Sequence, residues 1–168
     1  MRHLFSFKTL FAVGFLFLTQ FSNAQLILAE NEEAILRFKA KTGEEIALLK
    51  DKTDYYLQFR LVNPQGDKNE YPKPKPNSWK QFKYSHRVAF LSNGKQVDVE
   101  LVRFKIGDDQ YVIYEQHDRG SGSTTAGLRI TNSETKQVKL YSGISSTIQG
   151  DLSRVIEGNN IEVVEHLD

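Results

Sequence analysis

Hydrophobic and polar residues alternate along most of the chain. Tyr55, Leu57, Phe59 and Leu61 interleave with Tyr56, Gln58 and Arg60, and Val97, Val99 and Leu101 interleave with Asp98 and Glu100. A period of two is the pattern of a strand with one face buried. From Val102 the parity flips to Val102, Phe104 and Ile106, which predicts a β-bulge near Leu101–Val102. Further strands are predicted over 34–40, 45–50, 87–92, 110–117, 125–131, 137–141 and 161–166. Turn-forming residues separate them: Thr42-Gly43, Asn63-Pro64-Gln65-Gly66, Asn93-Gly94, Gly107-Asp108-Asp109 and Asn132-Ser133-Glu134. Asn93-Gly94 suits a tight hairpin, because both residue types tolerate positive φ. About eight to ten short strands at this spacing predict an all-β fold, an antiparallel β-sandwich or a small β-barrel.

Helical patterning is confined to two short stretches. Over 77–86, with Asn77 or Ser78 as N-cap, Trp79, Phe82 and His86 share one face. Residues 151–157 predict either a helix stopped by Gly158 or a strand that turns through Gly158-Asn159-Asn160 into 161–167. Ile35–Glu45 echoes Leu101–Asp109 as strand, Gly-acid turn, strand. Any amphipathic hairpin converges on that form, and it falls well short of a repeat architecture.

The first 24 residues depart from the β pattern. Arg2 and Lys8 accompany an apolar run from Leu10 to Leu18, and Ser22-Asn23-Ala24 places small residues before Gln25. These are the three parts of a cleaved secretory signal peptide. The run is too short for a membrane-spanning helix, which needs about 20 apolar residues. The expected mature chain is a single β-rich domain, 25–168, secreted or periplasmic.

Composition then narrows the chemistry. Arg2 and Lys8 are the leader's only charged residues, so 22 Lys+Arg become 20 against 21 Asp+Glu. A near-zero net charge argues against nucleic acid as a partner. The chain has no Cys and its one Met is Met1, which excludes thiol catalysis, disulfides, Cys–zinc sites and iron–sulfur clusters. No residue pattern implies a cofactor.

Charge is nonetheless unevenly placed. Residues 71–87 carry Lys73, Lys75, Lys80, Lys83 and Arg87 without an acid, and Tyr71, Trp79, Phe82 and Tyr84 lie among them. Pro72, Pro74 and Pro76 stiffen the start of the segment. Cations beside aromatic rings suit an anionic polymer, whose charges pair with the cations while its rings stack. The candidate ligand-binding set is therefore Lys73, Lys75, Lys80, Lys83 and Arg87 for the anion, with Trp79, Phe82 and Tyr84 for stacking. An envelope glycan, a lipopolysaccharide phosphate or, against the near-zero net charge, a nucleic acid is the kind of partner this would fit. The competing expectation packs the aromatics onto the sheet and leaves Lys and Pro guarding an edge strand. The acids of 151–168 add the prospect of weak self-association in an otherwise monomeric chain.

A second candidate surface is the loop after the strand ending near His117, with His117, Asp118, Arg119, Ser121 and Ser123. A phosphate-binding loop is excluded, because Leu128 and Arg129 stand where Lys and Ser/Thr belong and a strand follows. Neighbours at a strand end point apart, so His117 and Asp118 with Ser121 or Ser123 do not read as a catalytic triad. His86, His117 and His166 lack the i+2 or i+4 spacing of a histidine metal site. The sequence thus predicts a non-enzymatic binding or interaction domain. The alternatives are a ligand-holding lipocalin-like barrel and a small secreted hydrolase that gathers His117 with acids from distant strands.

Overall fold

The structure is a computed structural model that describes residues 26–73, 76–158 and 160–165. The expected leader, Lys75 and His166 lie outside the described residues. Eleven strands are present among them: β1 (Glu32–Lys39), β2 (Glu45–Asp51), β3 (Leu57–Val62), β4 (Lys68–Tyr71), β5 (Lys83–Phe90), β6 (Gln96–Ile106), β7 (Asp109–Asp118), β8 (Thr124–Asn132), β9 (Val138–Ser142), β10 (Gln149–Gly150) and β11 (Glu162–Val163). They form a front sheet of order β10-β1-β2-β3-β4 and a back sheet of order β11-β5-β6-β7-β8-β9. Sequential strands pair antiparallel within each sheet, and β11 alone runs parallel to its neighbour, β5. The result is a two-layer β-sandwich. The sheets touch through backbone at one corner, where Ala40 bridges Gly143 and the Lys41 amide donates to Ser142 O at 2.9 Å. No closed barrel forms, so the lipocalin-like alternative gives way to a sandwich.

The space between the sheets is filled by side chains. Phe38, Ile46, Leu48 and Phe59 from the front sheet meet Val102, Phe104, Tyr111 and Leu128 from the back sheet. Phe59 bridges the layers, its ring 5.0 Å from Phe104 and 5.6 Å from Tyr111. Such aromatic pairs add about 0.5–1.5 kcal/mol beyond the area they bury. A 3-10 turn, Leu152–Ile156, seals one end by burying Leu152 and Val155 in the same cluster.

The bulge predicted at Leu101–Val102 is absent. Leu101 lies opposite Ser85 and Tyr114, and Val102 opposite Tyr84 and Ile113, with no register shift. The parity flip has another cause, because the apolar residues of β6 pass from its outer face in the first half of the strand to its inner face in the second. Val102 and Phe104 face the interior, while Val97, Val99 and Leu101 join Val112 in a separate cluster on the outer face. The bulge lies in β1 instead, between Ala34 and Leu36. It turns two successive side chains, Ile35 and Leu36, into the interior.

The helix predicted over 77–86 is likewise replaced. Ser78–Gln81 makes one 3-10 turn, which buries Trp79, and β5 begins at Lys83. Eight consecutive residues of β5 pair with β6, Lys83 opposite Arg103 through Phe90 opposite Gln96. That ladder satisfies a row of backbone groups that a helix this short would leave open at its ends. Residues 151–157 form neither an α-helix nor a hairpin, since the 3-10 turn is followed by β11 in parallel pairing with β5. At Asn93-Gly94 only Gly94 takes positive φ, at 79°, in a wider loop closed by the Leu91 amide on Lys95 O at 2.8 Å.

Candidate functional site

The outer face of the back sheet is built by alternation. In β6, Asp98 and Glu100 turn inward, which leaves Val97, Val99, Leu101, Arg103 and Lys105 facing out. Register then aligns Lys83, Arg103, Val112, Arg129 and Leu140 in one row across β5 to β9. Lys105 lies one row beyond Arg103, and Arg87 sits opposite Val99 two rows to the other side. Below the cations the floor is apolar, with Val99, Leu101 and Val112 all buried. Tyr114 lies across Gly127, where an added Cβ would stand 2.2 Å from the phenol oxygen. A groove of about 410 Å³ runs over this floor between Arg87 and Arg129. A second groove, of about 380 Å³, opens among Lys80, Lys83, Arg103 and Lys105 beside Tyr71.

The charge on this face is largely uncompensated. Lys83 pairs with Glu162 at 2.8 Å, whereas Lys80, Arg87, Arg103, Lys105 and Arg129 form no ion pair among the described residues. Among the described residues the only carboxylates at outward strand positions of the back sheet are Glu162 and Asp118, and Asp118 is held by Lys95 at 3.1 Å.

The residues singled out from sequence divide into two groups. Lys80, Lys83 and Arg87 lie on or beside this face, and Lys73 is exposed ahead of the 3-10 turn. The rings do not accompany them. Trp79 is 4% exposed, Phe82 0% and Tyr84 3%. Trp79 donates its indole N–H to Asp54 O at 3.0 Å, and Phe82 packs 5.0 Å from Phe104. These three rings are core residues, and Tyr71 is the aromatic of the segment that reaches a groove on this face. The acidic C-terminal stretch meets the basic segment within one chain, through Lys83 and Glu162. Sequence reasoning missed Arg103, Lys105 and Arg129. Strict alternation through β6, without a bulge, is the signal that places Arg103 and Lys105 with the apolar residues and away from Asp98 and Glu100.

The second candidate loop is organised by Asp118. Its carboxylate accepts from the Gly120 and Ser121 amides at 2.8 and 3.2 Å, and Lys95 beside it holds the group well below the usual carboxylate range. Arg119 turns away to bind Asp98 through two hydrogen bonds of 2.7 Å, which hold the Asp98 carboxyl down at about 2. His117 contacts the Thr124 hydroxyl at 3.3 Å, while the Ser121 and Ser123 hydroxyls bond each other at 2.8 Å. Among the described residues no serine meets the imidazole, so the geometry of a triad is missing from this loop.

Inward positions toward the end of β5–β7 turn polar. Glu100 and Glu115 lie directly opposite one another, Tyr84 donates to Glu100, and Glu115 accepts from the Leu152 amide at 2.6 Å. Burial pushes both glutamates up, and the nearby Asp151 carboxylate adds to it. Burial, and then Glu100, also push the Tyr84 phenol up. Among the described residues no group of three or more His, Asp or Glu is placed to hold a metal ion. Comparison of the chain with protein-family models, curated proteins and solved structures gives no match.

Proposed function

We propose that the protein is an exported, non-enzymatic binding domain that holds an anionic polymer against the outer face of its back sheet. The observation that carries this reading is the row Lys83–Arg103–Val112–Arg129–Leu140, flanked by Lys80, Lys105 and Arg87 and lacking a free carboxylate. Lys83 and Arg129 are three strands apart, roughly 14 Å at about 4.8 Å per strand. Cations spread that widely do not converge on one small anion, but they match successive charges of a chain laid across the strands. The apolar floor and Tyr114 add contact for sugar rings or other uncharged parts of the same polymer. Export rests on the leader-like residues 1–24.

The test uses dextran sulfate as probe and salt as variable. Polyelectrolyte binding weakens with salt in proportion to the cations engaged. The triple variant Lys105→Ser/Arg103→Ser/Arg129→Ser should bind at least about tenfold more weakly and flatten the log–log slope by about two to three. A control set off this face, Lys39→Ser/Lys41→Ser/Lys68→Ser, should keep the parent slope. Equal slopes in the two triple variants, or no binding by the parent protein, would remove the proposal.

A further inference from the structure

A separate hollow lies where the sheets part, beside the β6–β7 and β8–β9 turns. Its volume is about 390 Å³, within the roughly 300–1,000 Å³ of small-molecule sites. Leu61 and Ile130, both packed on the core, form its floor, and Tyr111 and Tyr141 form its walls. The rim is polar, with Asp109, Thr135, Gln137 and Lys139. Register accounts for the gathering: Asp109 pairs with Asn132, Tyr111 with Ile130, and Ile130 with Lys139.

One rim group is fixed in place by the fold. Asn132 Oδ1 accepts from the Glu134 amide at 3.1 Å, the Thr135 amide at 2.8 Å and the Thr135 hydroxyl at 3.0 Å. Its side-chain amide then donates to Asp109 Oδ1 at 2.7 Å, which aims that carboxylate and leaves Oδ2 open. The side chains of Gln137 and Lys139 have no hydrogen-bond or ion-pair partner among the described residues, and Tyr141 OH has none either. Burial pushes both tyrosine hydroxyls up, so they stay protonated donors at neutral pH.

Three features select the ligand class. An apolar floor between aromatic walls suits the C–H faces of a sugar ring. A rim mixing a carboxylate, an amide, a hydroxyl and an ammonium suits groups that donate and accept at once, as each sugar hydroxyl does. Asp109 and Lys139 cancel in charge, so the rim favours an uncharged ligand over an anion or a cation. We propose that this hollow is a binding site for one neutral sugar unit, with Asp109, Gln137, Lys139 and the Tyr141 hydroxyl bonding its hydroxyls and the Tyr111 and Tyr141 rings flanking it. The site is distinct from the cationic face and stands without it.

Titration of the ¹⁵N-labelled protein with methyl glucoside, methyl galactoside and methyl mannoside, each followed by amide chemical shifts, tests this. At least one neutral glycoside should give saturable shifts centred on residues 109–111 and 130–141. Asp109→Asn and Tyr141→Phe preserve shape and each should weaken that binding by about tenfold, the scale of one lost hydrogen bond to a buried or charged partner. Glucuronate should bind more weakly than the neutral glycosides. The inference is overturned by no saturable shift with any of the three glycosides, by equal or tighter binding of glucuronate, or by undiminished binding in both variants.

Discussion

Arg60 is the residue on which the front sheet's outer face most depends. Inward positions of β3 are taken by Leu57, Phe59 and Leu61, so Arg60 points out, yet residues 26–29 cross over it and keep its side chain 8% exposed. Its two Nη atoms bind Glu32 at 3.0 and 2.8 Å, and Gln58 and Ile27 O take further donors. Nε lies 2.7 Å from Glu70 Oε1 but without hydrogen-bond alignment. Burial pushes the Glu32 carboxyl up, but hydrogen bonds from Arg60 and the Ala29 amide outweigh it and leave the group below its ordinary value. Removing one partner strands a buried charge, which costs about 3–5 kcal/mol, whereas a well-packed apolar pair is often neutral. Arg60→Ala, which strands Glu32, should lose that much in denaturant unfolding, Glu32→Ala less because Glu70 remains 2.7 Å from Arg60 Nε, and Arg60→Met/Glu32→Leu should recover most of the Arg60→Ala loss. A double variant less stable than either single one would show that the pair contributes more than mutual neutralisation.

At the scale of elements, two glycines separate a side-chain contact from a backbone one. A Cβ at Gly150 would stand 2.0 Å from Ile35 O, and its φ is +93°, so β10 reaches β1 only with glycine there. Gly127 meets the far end of the Tyr114 ring, which can swing aside. Gly150→Ala should therefore cost about 3 kcal/mol or more, and Gly127→Ala about 1 kcal/mol. Hydrogen exchange checks the mechanism. The Asp151 amide, bonded to Ile35 O at 2.8 Å, should lose protection in Gly150→Ala and keep it in Gly127→Ala.

The elements themselves were legible to unequal degrees. Strand β3 announces itself because its inward residues Leu57, Phe59 and Leu61 are all apolar and turn residues bound it, while β2, β6 and β7 do so through shorter apolar runs on one face, Ile46 and Leu48, Val97, Val99 and Leu101, and Tyr111 and Ile113. The 3-10 turns at Ser78–Gln81 and Leu152–Ile156 are too short to carry a period. The passage of β6's apolar residues from the outer face to the inner one mimics a register shift, since alternation cannot distinguish a change of buried face from one face and a bulge. The same ambiguity hid the cationic face. Lys80, Lys83 and Arg87 stand out as a charge run, but Arg103 and Arg129 join them only through pairing of β5, β6, β7 and β8. Composition likewise shows that Trp79, Phe82 and Tyr84 are aromatic, not which way they face.

For the whole molecule, the carboxylates pull stability in opposite directions with pH. Glu32, Asp51, Asp98 and Asp118 sit below their ordinary values, the Asp51 carboxyl at about 2 through the Thr53 hydroxyl first. Their ionised forms favour the fold, so that contribution is complete above about pH 4 and is lost as pH falls toward their folded values. Glu100 and Glu115 are raised by burial. Their contribution is complete below about pH 4.3, the ordinary glutamate value, and is lost as pH rises through the folded ones. Stability should therefore peak at mildly acidic pH and decline toward alkaline pH as the facing glutamates ionise. Glu115→Gln isolates the second limb, because the amide oxygen still accepts from the Leu152 N–H while the charge is gone. Thermal midpoints measured from pH 3 to pH 9 should show the variant more stable than the parent at pH 8 and equal to it near pH 4. A constant offset across that range would mean that Glu115 acts through packing, and the alkaline decline would then need another source.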